Sequence, residues 1–117
     1  MNRSSPQEVA EYYNRLKVET APLSKKIVML HDRCVEQILI ARDQTGDARR
    51  SLLDKAQNIL SQLQSALRLN DDIAHGLFYL YDYCYAMLES GDAAQLSNSL
   101  AILIVLRDTF RSLAKLS

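Results

Sequence analysis

His31 and Cys34 stand three residues apart, a spacing that on a helix puts both within reach of one metal ion. A zinc site needs about four such ligands. The chain has two histidines and two cysteines in all, with no second cluster. The pair therefore reads as a helix-surface histidine beside a core thiol. Asp71, Asp72 and His75 lie within one turn of each other and could in principle trade protons. Two acids directly after Asn70 are better explained as first-turn residues favoured by the helix dipole. With only 3 glycines the chain lacks the material for a phosphate-cradling loop. It has no nucleophile elbow and no paired Glu-x-x-His set for a di-iron site. No catalytic residue, metal ligand set or cofactor is expected.

A different chemistry is open to "VLRDTF", residues 105–110. Arg107 and Asp108 interrupt a run that is otherwise aliphatic. They either turn a polar edge to water or rim an apolar groove, where Arg107 would set a partner's register through charge-assisted hydrogen bonds. "GLFYLYDYCYAML", residues 76–88, holds four of the six tyrosines, at 79, 81, 83 and 85. That alternation suggests a strand, and the surrounding elements have to decide the matter.

The chain has 117 residues, 48% hydrophobic, with 3 Gly and 2 Pro. It is too apolar for disorder and too poor in turn residues for a sheet fold. One domain over 1–117 is expected, with an N-terminal helix at about 6–16 and a bundle over 20–117. The 14 basic and 14 acidic residues cancel; a nucleic-acid partner, which needs a basic excess, is not expected. Cys34 and Cys84 sit in apolar runs and are read as buried thiols. The opening "MNRSSPQEVAEYYNR" has no apolar core of a signal peptide. "AILIVL", residues 101–106, is far short of the about 20 residues that span a bilayer. A soluble, intracellular protein without membrane insertion is expected.

Start signals place the helices. "SPQE" offers Ser5 as N-cap, Pro6 at the first helical position and Glu8 closing a capping box. Thr20 is the next N-cap, with Pro22 tolerated in the first turn. The helix that follows carries Leu23, Ile27, Leu30, Cys34, Ile38 and Ala41 at helical spacing. Val28, Val35 and Leu39 widen its apolar arc. "TGD" at 45–47 breaks the chain, with Asp47 as N-cap. Leu52, Ala56, Ile59, Leu63 and Ala66 then form a stripe flanked by Leu53, Leu60 and Leu67. "NDD" at 70–72 starts another helix. "SGDAAQ" at 90–95 ends it, Asp92 and Gln95 making a second capping box before Leu96, Leu100, Leu103, Leu106, Phe110 and Leu113. The tyrosine segment thus lies inside a helix, and Ile73, Leu77, Leu80, Cys84 and Leu88 run through it at the 3.6-residue period. At about 100° per residue, Tyr81 and Tyr85 flank that stripe, while Tyr79 and Tyr83 lie roughly opposite. Either both faces are covered, or one packs inward and the other is an aromatic patch for a partner. The architecture is all-α: an antiparallel four-helix bundle with a short additional N-terminal helix.

Taken in order, these segments resemble the FliS family of flagellar export chaperones. "YNRLKVETA" presents Tyr13, Val18, Thr20 and Ala21 as in that family's N-terminal pattern. "IVMLHD" resembles its Met-Leu-Tyr-Asp stretch and "KAQNILSQLQSAL" its third helix. "LYDY" at 80–83 and "LRDTF" at 106–110 match its C-terminal patterns. The chain departs from the family at Pro22, Leu23 and Lys26, at His31 and Arg33 after Met-Leu, and at Phe110, where Trp is common.

The resemblance implies a non-catalytic cytoplasmic chaperone. Such a protein binds the disordered C-terminal segment of flagellin, prevents premature polymerisation and delivers the subunit to the flagellar type III export apparatus. An export-gate component or a co-chaperone is a further partner it allows. Apolar arcs wider than one bundle needs are compatible with a groove for amphipathic helices. The expected partner contacts are Tyr79, Tyr83 and Arg107, with Val28, Val35, Leu53 and Leu60 on outer arcs of the second and third helices. The segment around Tyr13 would lie over the groove until cargo displaces it. The rival reading is a non-catalytic helical module that self-associates into a homodimer.

Overall fold

The computed structural model describes the backbone of residues 6–19, 21–69 and 72–115, and the side chains of 6–12, 25–69 and 72–115. Among the described residues there are five helices and no strand: α1 (Pro6–Glu19), α2 (Ala21–Arg42), α3 (Gly46–Ala66), α4 (Asp72–Ser90) and α5 (Ala93–Lys115). The expected all-α bundle with an added N-terminal helix is the observed one. α2 packs on α3 and α5, and α4 packs on the same two, while the diagonal pairs stay apart. Short connections make neighbours antiparallel, a four-helix ring closed by α5 against α2.

The helix ends follow local chemistry. Gly91 ends α4 at φ 71°, a left-handed conformation that only glycine adopts without cost. Its N–H donates to the Met87 carbonyl at 3.3 Å. Asp92 then caps α5, its Oδ1 accepting the Gln95 N–H at 2.9 Å. The start of α3 differs from expectation. The helix begins at Gly46, Thr45 occupies the N-cap position without a side-chain cap bond, and Asp47 falls in the first turn. Gly46, at φ 57°, makes the reversal one residue earlier than an Asp47 cap would need. α1 runs three residues past the expected Leu16, to Glu19. The caps expected at Ser5, Thr20 and Asn70 lie outside the described residues.

The core takes Ile27, Leu30, Cys34, Ile38 and Ala41 from α2, and Leu96, Leu100, Leu103, Leu106 and Phe110 from α5, all at the expected spacing. Each fully buried leucine contributes about 1.5–3 kcal/mol. In α3 Ala56, Ile59 and Leu63 are buried as expected, but the core extends to Leu53 and Leu60, while Leu52 is only half-buried. Leucines on both sides of Ala56 offer two nearly equivalent stripes, and packing against α4 selects the one nearer Gln57.

The α3/α4 seam is keyed by polar side chains every seventh residue. Arg50 Nη1 donates to the Leu88 carbonyl at 3.1 Å, Gln57 Nε2 to the Tyr85 carbonyl at 3.2 Å, and Gln64 Nε2 to the Phe78 carbonyl at 3.1 Å. Gln57 also donates to Glu89 Oε2 at 2.7 Å and accepts from Arg50 Nη2 at 2.9 Å. At the same end of the bundle Arg49 donates to the Ala41 and Gly91 carbonyls, a cation at the C-terminus of α2 where the helix dipole favours it. α1 packs on α2, α4 and α5 and buries Val9 and Tyr12. The Tyr12 hydroxyl accepts the Arg68 N–H at 3.2 Å. Together these contacts place α1 across the end of the bundle where α2 and α4 begin.

Candidate functional site

The residues with chemistry in their side chains are mostly sealed in the core. His31 is fully buried. Its Nδ1 lies 2.8 Å from the Ile27 carbonyl, which can only accept, so Nδ1 carries the proton. Nε2 then accepts from the Tyr81 hydroxyl, also at 2.8 Å. Phe110 packs beside the imidazole at 5.1 Å between ring centroids. Desolvation lowers the His31 pKa to about 4, against the raising effects of the Ile27 carbonyl and Asp32. Burial, reinforced by Tyr12 and the two thiols, pushes Tyr81 well up. Both groups are neutral, and both imidazole nitrogens are engaged within the protein. Contrary to the sequence reading, His31 is therefore a core residue and not a helix-surface one.

Cys34 and Cys84 are free and buried. The Cys34 thiol donates to the Ala56 carbonyl at 3.6 Å, and burial pushes its pKa up; that of Cys84 is pushed up to about 12. They sit on diagonal helices with no Cα pair within 8 Å, beyond the reach of a disulfide. Among the described residues no three His, Cys, Asp or Glu side chains converge as a metal site. Asp71 of the considered acid–base trio lies outside the described residues; Asp72 and His75 are exposed.

The tyrosines of α4 separate. Tyr81 is buried at the centre, whereas Tyr79 and Tyr83 are 60% and 57% exposed. Tyr85, expected to flank the core with Tyr81, is exposed as well. Its carbonyl faces α3 through Gln57, which fixes which flank of α4 looks toward α3. Leu80 lies on the other flank, toward α5, and it is exposed although the sequence pattern put it in the core stripe. On α5, Arg107 and Arg111 mark the edge toward α2, because both reach Asp32. Ile102 is on the opposite edge, and Val105 points outward at 64% exposure. Residues equidistant from the Gly91–Asp92 turn are level in an antiparallel pair. Leu80 and Tyr83 thus lie beside Ile102, with Tyr79 level with Val105. The result is an apolar, aromatic strip along the α4/α5 seam. Signals for it existed in the sequence: Val105 is about 160° around α5 from Leu103.

The other expected contact residues are not in this strip. Val35, Leu53 and Leu60 are core residues, which corrects their placement on outer arcs. α2 and α3 each pack against two neighbours, so a wider arc of each is covered than one apolar stripe implies. Val28 is half-buried on the edge of α2 toward α5. Arg107 belongs to an ionic cluster in the α2/α5 seam. Its Nε lies 3.0 Å from Asp108 Oδ1 and 3.9 Å from Asp32 Oδ1, the oxygen that Arg111 also contacts. The Tyr13 side chain lies outside the described residues. An open polar depression on α3, lined by Asp47, Arg50, Asp54 and Lys55, is far from the strip, and its Arg50 and Asp54 already pair at 2.9 Å.

Fold and surface define a helical bundle that seals the His31–Tyr81 pair, Phe110 and both thiols inside and leaves Tyr79, Tyr83 and Tyr85 of α4 outside. Among the described residues no helix is long and apolar enough to cross a membrane. The family model for flagellar protein FliS matches residues 5–117, and the chain belongs to that family of flagellar chaperones. A comparison with curated proteins gives no match.

Proposed function

We propose that this protein is a cytoplasmic export chaperone for flagellin. It holds the disordered C-terminal segment of flagellin as amphipathic helices, prevents premature polymerisation and hands the subunit to the flagellar type III export apparatus. The observation that carries this reading is the exposure of Tyr79, Leu80, Tyr83 and Val105 on the outer side of α4 and α5. Large exposed apolar patches on soluble proteins mark binding surfaces. Tyrosine suits such a surface, having much apolar area and few rotamers to freeze. Val28 and Arg107, in the neighbouring α2/α5 seam, extend the contact, and the α1 segment around Tyr13 gives way when cargo arrives. The chemistry is association alone, without a catalytic step.

The test is isothermal titration with the C-terminal segment of the flagellin encoded in the same genome. A one-to-one complex with a large negative heat-capacity change is expected, the mark of coupled folding on an apolar surface. Tyr83→Ala should weaken it about tenfold or more, as loss of an aromatic anchor does. Absence of binding, or a Tyr83→Ala variant that binds like the parent, overturns the reading. Sedimentation of the free chain separates it from the self-associating module.

A further inference from the structure

Zero net charge conceals a segregation. Between Arg68 and Arg107 the chain has no lysine or arginine, but five acids: Asp71, Asp72, Asp82, Glu89 and Asp92. All 14 basic residues lie outside that stretch. It forms all of α4 and the first half of α5, the two helices that carry the exposed strip. Glu89 is bound by Gln57, and Asp92 caps α5. Asp72 and Asp82 are exposed on α4, and among the described residues neither has an ion-pair or hydrogen-bond partner. On the helical wheel Asp72 falls between Tyr79 and Tyr83, about two turns before Tyr79, and Asp82 lies about 60° beyond Tyr79 on the side away from Leu80. The outer face of α3, by contrast, exposes no large apolar side chain.

We propose that the α4/α5 strip selects an amphipathic helix whose apolar stripe is flanked by lysine or arginine. The apolar side chains of the guest lie on Leu80, Tyr83, Ile102 and Val105. Its cations meet Asp72 and Asp82, which have no internal cation to compete for them. An acidic guest would meet unscreened like charge over the length of α4. This rests on reading the strip as the cargo surface and specifies the chemistry of the cargo segment. Charge of this kind sets partner choice and association rate more than overall affinity, and its effect falls with added salt.

Two synthetic amphipathic helices sharing one leucine stripe, one flanked by lysine and the other by glutamate, are titrated into the full chain. The lysine helix is expected to bind about three- to tenfold tighter at low salt, the range for a pair of exposed ionic contacts. The preference should shrink as salt is raised. The double variant Asp72→Asn/Asp82→Asn, both positions being exposed, should lose the preference while keeping its circular dichroism. Val105→Glu should weaken both helices. Equal binding of the two helices, a preference that survives in the double variant, or no binding of either overturns the proposal. The flagellin segment is titrated in parallel. If it binds while the helices show no charge preference, the chaperone reading stands and the charge proposal falls. If the lysine helix is preferred and the flagellin segment does not bind, the flagellin reading falls and the charge selection stands.

Discussion

Replacing His31 and Tyr81 together by phenylalanine should flatten the dependence of stability on pH below neutrality. In the folded chain desolvation lowers the His31 pKa from 6.5 to about 4. The unfolded chain takes up a proton at pH 6.5 that the folded chain refuses until about pH 4. Stability from this group is thus complete above pH 6.5 and is lost as pH falls through the window between the two values. At about 1.4 kcal/mol per pH unit the full loss is about 3 kcal/mol, of which about 2 kcal/mol is reached at pH 5. The double substitution is the right perturbation because either single one leaves a buried polar group without its partner, at a cost of about 1–3 kcal/mol. Removing both keeps two ring-shaped side chains in place. Urea unfolding of parent and variant at pH 7 and pH 5 gives four free energies. Carboxylates contribute equally to both proteins, so the difference of differences reports His31. A value near 2 kcal/mol supports the buried, neutral imidazole; parallel loss in the two proteins refutes it.

Leu60→Ala should lower unfolding free energy by about 2–5 kcal/mol through the cavity it leaves, whereas Tyr79→Ala should shift it by under about 0.5 kcal/mol. Thermal melts of the two variants, side by side, separate core from surface. Gly91→Ala should cost about 1 kcal/mol from the left-handed backbone alone, since the added Cβ meets nothing closer than 3.6 Å; a neutral result by chemical denaturation would contradict the φ of that turn.

Much of the architecture was legible because helix periodicity and caps are local. Asp92, Pro6 and the leucines of α5 each announce their role within a turn or two of sequence. The burial of Leu53 and Leu60 in place of Leu52 was not legible, because leucines on either side of Ala56 are equally good until a neighbour chooses between them. Val35 was misplaced for the same reason, its burial depending on α5, which is distant in sequence. The candidate surface was half legible. The wheel puts Tyr79 and Tyr83 on one outer face, while the spacing of Leu80 points inward and the side chain is exposed on the flank toward α5. The partner of His31 could not be read at all, since Tyr81 is fifty residues away and nothing local pairs them.

The carbonyls held by Arg50, Gln57 and Gln64 make α4 mechanically unequal on its two sides. Rolling the helix about its axis, or sliding it by one turn, would release these bonds together, because they share one spacing along α3. α4 is therefore held in one rotation and one register against α3. The outward aim of Tyr79 and Tyr83 is thus set by bonds made on another flank of the same helix, so a substitution at Gln57 or Gln64 reaches the aromatic face without touching it.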